Sequence, residues 1–321
     1  MTTPTQTPKA RPSWFTRFWA LVRYEMLWNI RKKKFIGIVI LAFVLATLFL
    51  ALPVILSGVT GTTITANADY AIAFSAGGFG FFLFGLAIAM NSISSEFESG
   101  TIVPLLTKPI SRTMVFLGKL FAAFILTVVI YAILFIYATV GSIVVYGPQN
   151  HLELVPLGFL GNIIGTFIWI AIILAVGALS KNTILTALAA LGLFLGLFIA
   201  LPIISTFAGP SQALAYVPGS GATGYFAVNN SILSVSTGPD NVGTNLISYV
   251  LYPSANVQFI KLDIATFQGG TVPPNLSQFG QLVYTEPMST IALRSVGVAF
   301  VYIAVFLFIA WIALKRAQIL E

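Results

Sequence analysis

Long apolar runs alternate along this chain with short polar or basic stretches. Residues 35–57, 70–92, 119–146, 157–179, 183–206 and 291–314 each hold the ~20 mainly apolar residues that a membrane-spanning helix needs. Their only Asp, Glu, Lys, Arg or His residues are Lys119, at the mouth of the third run, and Arg294, within a turn of the sixth run's start. Arg294 is close enough to its end to snorkel to the interface. The pattern predicts an all-α polytopic membrane protein with six transmembrane helices. The first run is too long for a cleavable signal, and a polar, aromatic region precedes it instead of a short basic one.

The stretches between the runs have their own patterns. Residues 1–13 are rich in Thr and Pro and are expected to be disordered. In "SWFTRFWALVRYEMLWNIRKKK", Trp14, Phe15, Phe18, Trp19, Val22 and Met26 fall on one helical face, with Thr16, Arg17, Arg23 and Tyr24 opposite. This predicts a basic amphipathic helix lying among lipid headgroups. Glu25 falls on its apolar face and therefore needs a partner. Region 207–290 is dominated by Gly, Ser, Thr, Asn and Tyr, and "NVQFIKLDIATF" alternates as a strand does. It reads as a small ordered domain, or as re-entrant elements with a cap. The chain then divides into 1–34, a tail and interfacial helix; 35–206, spans 1–5; 207–290, the small domain; and 291–321, span 6 and its tail.

Composition agrees with the spans. With 58% hydrophobic and only 8% charged residues, the chain lacks the ~25% charge that a soluble surface carries. It has no cysteine, which removes disulfides and thiolate metal sites. The net charge of +7 is explained by topology. With six spans and both termini in the cytoplasm, fourteen of the 16 Lys and Arg residues fall inside, leaving Lys261 and Arg294 outside. The charge is thus no nucleic-acid footprint, and the plasma membrane is the expected location, with region 207–290 extracellular.

Several motifs have both a plain and a sharper reading. Gly161-x-x-x-Gly165 and Gly192-x-x-x-Gly196 let helices approach closely, within the subunit or at a seam between subunits. Pro53 and Pro202 lie near the outer ends of their spans, where a kink costs little. Gly219-x-Gly221-x-x-Gly224 lacks the strand–helix setting of a nucleotide site. His151 is the sole histidine and reads as a solvated loop residue. Asn229 and Asn275 sit in N-x-S sequons, compatible with glycosylation on an outer loop.

Charge concentrates in "NSISSEFESGTIVPLLTKPISRTMVFLGK", residues 91–119, between the second and third runs. Gly100 permits a tight turn and Thr101 can cap a short helix over 102–107, which Lys108-Pro109 ends. Ser111 can cap the third span. Arg112 and Lys119 then lie two turns apart on one face, suited to headgroups or to an acidic patch on protein. The short helix carries Ile102, Val103, Leu105 and Leu106, aliphatics that need cover.

The run Glu98-Ser99-Gly100-Thr101, Leu105-Leu106, Pro109, Arg112 and Gly118-Lys119 resembles the signature of type-2 ABC exporter permeases. The six spans, the N-terminal elbow helix with Trp14, Phe18, Trp19 and Glu25, and the long region between spans 5 and 6 extend the resemblance over nearly the whole chain. It implies that residues 93–110 form a cytoplasmic coupling helix that docks on a separate ABC ATP-binding subunit. Glu98, Gly100, Thr101, Pro109 and Arg112 shape that contact, and a second permease copy or homologue completes the pathway. Many relatives carry a Glu three residues after the Thr, where this chain has Pro104, so the helix cap rests on Thr101 alone. No G-x-x-x-x-G-K-[ST] occurs, so ATP and Mg belong to the partner and this chain is expected to bind no cofactor and to catalyse nothing.

Other classes fit less well. An ion-coupled transporter needs ionisable groups in the span interiors, and the sequence places none there. An intramembrane enzyme lacks metal ligands and acid–base pairs. A structural or receptor-like protein acting through its extracellular domain leaves the aliphatic helix of 102–107 without a purpose.

Overall fold

The computed structural model describes residues 13–60, 68–76, 81–90, 92–100, 111–219, 221–228, 231–262 and 280–316. Among the described residues five helices are long and apolar enough to cross a membrane: α2 (Lys33–Thr60), α6 (Arg112–Tyr146), α7 (Val155–Ser180), α8 (Thr183–Phe207) and α10 (Met288–Arg316). They stand with α1 (Trp14–Ile30), α3 (Tyr70–Ala76), α4 (Phe81–Ala89), α5 (Ser94–Glu98) and α9 (Val242–Leu251). The expected span over 70–92 is thus two short helices, α3 and α4, with residues 77–80 outside the described set. Helices α2 and α8 continue through Pro53 and Pro202.

Helix α6 begins earlier than the apolar run suggests. Ser111 caps it, its hydroxyl accepting from the Met114 N–H at 3.1 Å, and Gly147 ends it with φ +86°. Its 35 residues span about 52 Å, well beyond a ~30 Å hydrocarbon core. The surplus is long enough to carry Arg112 and Lys119 out of the apolar zone.

Helix α7 is the axis of the bundle. Ile168, Trp169, Ile170, Ile172 and Ile173 are buried in every direction, as expected of a helix that is apolar all round. Phe84 of α4 meets Tyr131 of α6 edge-on, and the Tyr131 hydroxyl pairs with Thr166 of α7 at 2.8 Å. By contrast α2 and α8 leave long apolar faces open.

Region 207–290 is not helical throughout. β1 (Thr223–Val228), β2 (Ser231–Ser236), β3 (Asn256–Leu262) and β4 (Gly280–Pro287) form an antiparallel sheet in the order β2-β1-β3-β4. β3 is the strand expected from alternation. Phe226, Val235, Val257 and Phe259 pack with Met288 and Ile291 of α10, so the sheet rests on the start of the last span. Arg294 does not reach outward for headgroups. Glu286 on β4 holds its guanidinium through two bonds of 2.9 and 2.7 Å, and it stands over the Tyr216 ring.

Helix α9 packs lengthwise against α7 instead of staying with the sheet. A side chain added at Gly161 would lie 2.2 Å from the Gly243 Cα, and one at Gly158 would meet Ile247 at 3.0 Å. Helix α9 is thus part of the helical bundle by its packing. Gly165 is also buried on α7, so the first glycine pair serves packing inside the subunit. The second does not: positions Gly192 and Gly196 of α8 meet nothing within 4 Å. Carbonyls at the end of α3 are served by the same junction, Ser75 by the Asn162 amide at 2.8 Å and Ala76 by the Thr244 hydroxyl.

This packing makes a paired prediction. Gly161→Val drives its side chain into the α9 backbone and should cost at least ~1–3 kcal/mol, seen as a lower melting temperature of the detergent-solubilised protein. Gly192→Val, facing open space, should leave the melting temperature of the single subunit unchanged.

Candidate functional site

Helix α1 starts at a Ser13 cap, whose hydroxyl accepts from the Thr16 N–H at 3.2 Å. The face it turns into the protein carries Leu21, Val22, Glu25 and Asn29, with Phe18 at its edge. This shifts the expected apolar face: Trp14, Phe15 and Trp19 are about half exposed or more, at 53, 67 and 47%. Exposed aromatics beside exposed Arg23 and Arg31 keep α1 suited to a membrane interface. Its close seat against α6 depends on Gly118, where a Cβ would stand 2.7 Å from Leu21.

The partner that Glu25 requires is Lys119. The ammonium, one residue beyond that glycine contact, sits 2.7 Å from Glu25 Oε1 and 2.7 Å from Glu96 Oε1. Three elements distant in sequence (α1, α5 and α6) meet at this one cation, which is 4% exposed. Lys119 therefore turns inward to an acidic patch of its own chain and not outward to headgroups. Burial pushes the Glu96 carboxyl above its ordinary range, and the Lys119 charge pulls it back. Lys32 adds a weaker attraction from the α1–α2 junction.

The short helix α5 is fastened on its other side too. Glu98 Oε2 accepts from the Thr183 N–H at 3.1 Å, so it caps α8 from outside. Hydrogen bonding from Thr183, side chain before backbone, holds the exposed Glu98 carboxyl below its ordinary range. Asn182 caps the same helix start through the Leu185 N–H at 2.9 Å, and the Lys181 ammonium stands over the Phe97 ring at 5.7 Å. Gly100 follows with φ +69°, the left-handed turn expected of it. Thr101, Leu105, Leu106 and Pro109 lie outside the described residues, as does the helix expected over 102–107.

Arg112 parts company with Lys119. Its Nη1 donates to the Lys315 carbonyl at 2.8 Å, satisfying an orphan carbonyl in the last turn of α10. One end of the bundle thus gathers α1, α5 and the starts of α6 and α8 with the end of α10. Of the residues singled out from sequence, Glu25, Glu98, Gly100 and Arg112 meet here, with Trp14, Phe18 and Trp19 on the flank. Asn229 and Asn275 lie outside the described residues. Glu96 and Thr183 were missed: nothing in spacing pairs them with Lys119 and Glu98. Among the described residues no group of His, Cys, Asp and Glu is set to hold a metal. The cluster is built to hold elements together.

Removing one member of a buried ion cluster leaves the rest unpaired, at a cost of about 3–5 kcal/mol. Lys119→Met should therefore lower the melting temperature steeply. Adding Glu25→Gln and Glu96→Gln to it should restore most of the loss, because no buried charge then lacks a partner.

A family model described as ABC-2 family transporter protein matches residues 19–319. None of the curated proteins matches the chain.

Proposed function

The chain belongs to the ABC-2 transporter family, the membrane subunits of ABC transporters, and from that premise we propose that its α5 end receives the force of ATP hydrolysis. The observation that carries this reading is the attachment of α5. Through Glu96 it is tied to α1 and α6, and through Glu98 to α8. A push on a five-residue helix fastened in this way moves three long or interfacial elements together. A free loop would absorb it.

In this reading residues 93–110 are the coupling helix and its flanks, and Leu105 and Leu106 seat in a groove of a separate ABC ATP-binding subunit, which holds ATP and Mg. Helix α1 is the elbow helix at the headgroups. Helices α3 and α4 together supply the sixth span, which puts both ends of the chain in the cytoplasm and the sheet region outside a plasma membrane. The positive-inside distribution of Lys and Arg supports this orientation. A second permease copy or homologue covers the open apolar face of α8, where Gly192 and Gly196 meet nothing within 4 Å among the described residues. Two copies enclose the pathway, which alternates between inward-open and outward-open states as an exporter.

Leu105→Asp with Leu106→Asp should abolish co-purification of the ATP-binding subunit while membrane insertion is preserved. Full recovery of that subunit would overturn the docking assignment. Orientation is checked separately in this cysteine-free chain. Ser234→Cys and Ser254→Cys, both exposed on the sheet side, should react with an impermeant thiol reagent in intact cells. Ser99→Cys, exposed at the α5 end, should react only after the membrane is opened.

A further inference from the structure

By sequence Asp240 is a loop residue of the region after span 5. In the fold it is 4% exposed and reaches the middle of α7, accepting from the Trp169 indole N–H at 3.1 Å. Trp169 is itself fully buried and lies about halfway along a helix long enough to cross the membrane. Both Asp240 oxygens also accept from the Gly219 N–H, at 2.9 and 3.0 Å. Among the described residues no ammonium or guanidinium is among the groups acting on this carboxylate. An ionisable group at such depth without a counter-cation is a candidate for function by default.

The surroundings show what Asp240 holds. The Gly219 turn, with φ +115°, lies against Leu197 and Leu201 of α8, 3.3–3.5 Å from where a Cβ would stand. Its carbonyl accepts from the Asn241 amide at 3.0 Å. The neighbouring turn interlocks with it so closely that a Cβ at Gly238 would fall 2.2 Å from the Gly219 oxygen. Asp240 thus pins a polar turn between α7 and α8, at the root of the inserted helix α9.

We propose that Asp240 is a proton-binding site that latches the Gly219 turn between α7 and α8, and that the latch tightens when it takes up a proton. The inference stands apart from the coupling role proposed above. It rests on that reading only to say that the sensed acidity is that of the outside medium. Among titratable side chains on the elements packed here, Tyr302 of α10 faces Asp240. Helix α7 presents Trp169, and α8 presents Leu197 and Leu201, none ionisable. Arg294 and Glu286 are engaged with each other.

Burial holds the Asp240 carboxyl up at about 6, against 3.8 ordinarily, while the Gly219 and Trp169 donors pull it down. A carboxyl raised in the seated state makes seating strongest below the ordinary value. That advantage is lost as pH rises through the raised one. The gap between 3.8 and about 6 is worth about a hundredfold in the seated-to-released ratio, of which about 25-fold falls between roughly pH 4.5 and 7.5.

The test is hydrogen exchange of the peptide containing Gly219, in the full chain in lipid nanodiscs, corrected for the intrinsic pH dependence of exchange. Protection in the wild type should fall about 25-fold over that range, levelling off above about pH 6. Asp240→Asn, a mimic of the protonated acid, should show no such step. Trp169→Phe removes a donor that favours the charged form and should move the step to higher pH. A wild type without a step, a step that survives in Asp240→Asn, or an unmoved midpoint in Trp169→Phe would each overturn the latch. If Asp240→Asn does not fold, the wild type and Trp169→Phe decide the matter between them.

Discussion

A buried ammonium shared by two carboxylates from different parts of the chain sets the geometry at one end of this protein. Lys119 is held 2.7 Å from both Glu25 and Glu96 where little water reaches. None of the three is stable there without the others, because an unpaired buried charge is far costlier than a surface one. The arrangement therefore fixes where α1 crosses α6 and where α5 hangs, and Gly118 supplies the close approach that lets the ammonium reach Glu25. Its value lies in specifying one arrangement more than in raw stability. Apolar residues of similar size would hold the same elements together but would allow them to slide.

The opposite problem is solved where α9 packs against α7. Backbone that departs from helix within a membrane must still find hydrogen-bond partners. The carbonyls ending α3 find Asn162 and Thr244, and the Gly219 turn finds Asp240 and Asn241. Each partner lies on α7, or on or beside α9. The glycine contact between those two helices is thus the condition for α3 and the loop around Gly219 to pack in one bundle. Nearer the axis of the bundle, the Tyr131–Thr166 pair is a further buried polar contact.

Between the two junctions, burial is uneven. Helix α7 is covered on all sides, whereas α2 and α8 present whole apolar faces that a bilayer or another chain must cover. Movement of α5 would be felt at α8 through the Glu98 cap, and α8 also borders the Gly219 turn. One helix thus touches both junctions.

The sequence alone determined the five long apolar helices among the described residues, the Ser111 cap, the turn at Gly100, the strand at β3 and the need of Glu25 for a partner, while the remaining expected span, 70–92, is two short helices. These follow from local rules: hydrophobic run length, backbone preference, alternation, and the cost of a charge on an apolar face. The family resemblance was also legible, because its residues cluster in one continuous stretch. Tertiary structure alone decided that Lys119 turns inward, that Glu96 and Glu98 fasten α5 on two sides, and that Arg294 pairs with Glu286. It also decided that Gly161 serves the subunit's own packing, Gly192 does not, and Asp240 reaches the bundle's interior. Each of these depends on which distant segments become neighbours, and pairing between segments 85 or 94 residues apart leaves no periodic trace in a single chain.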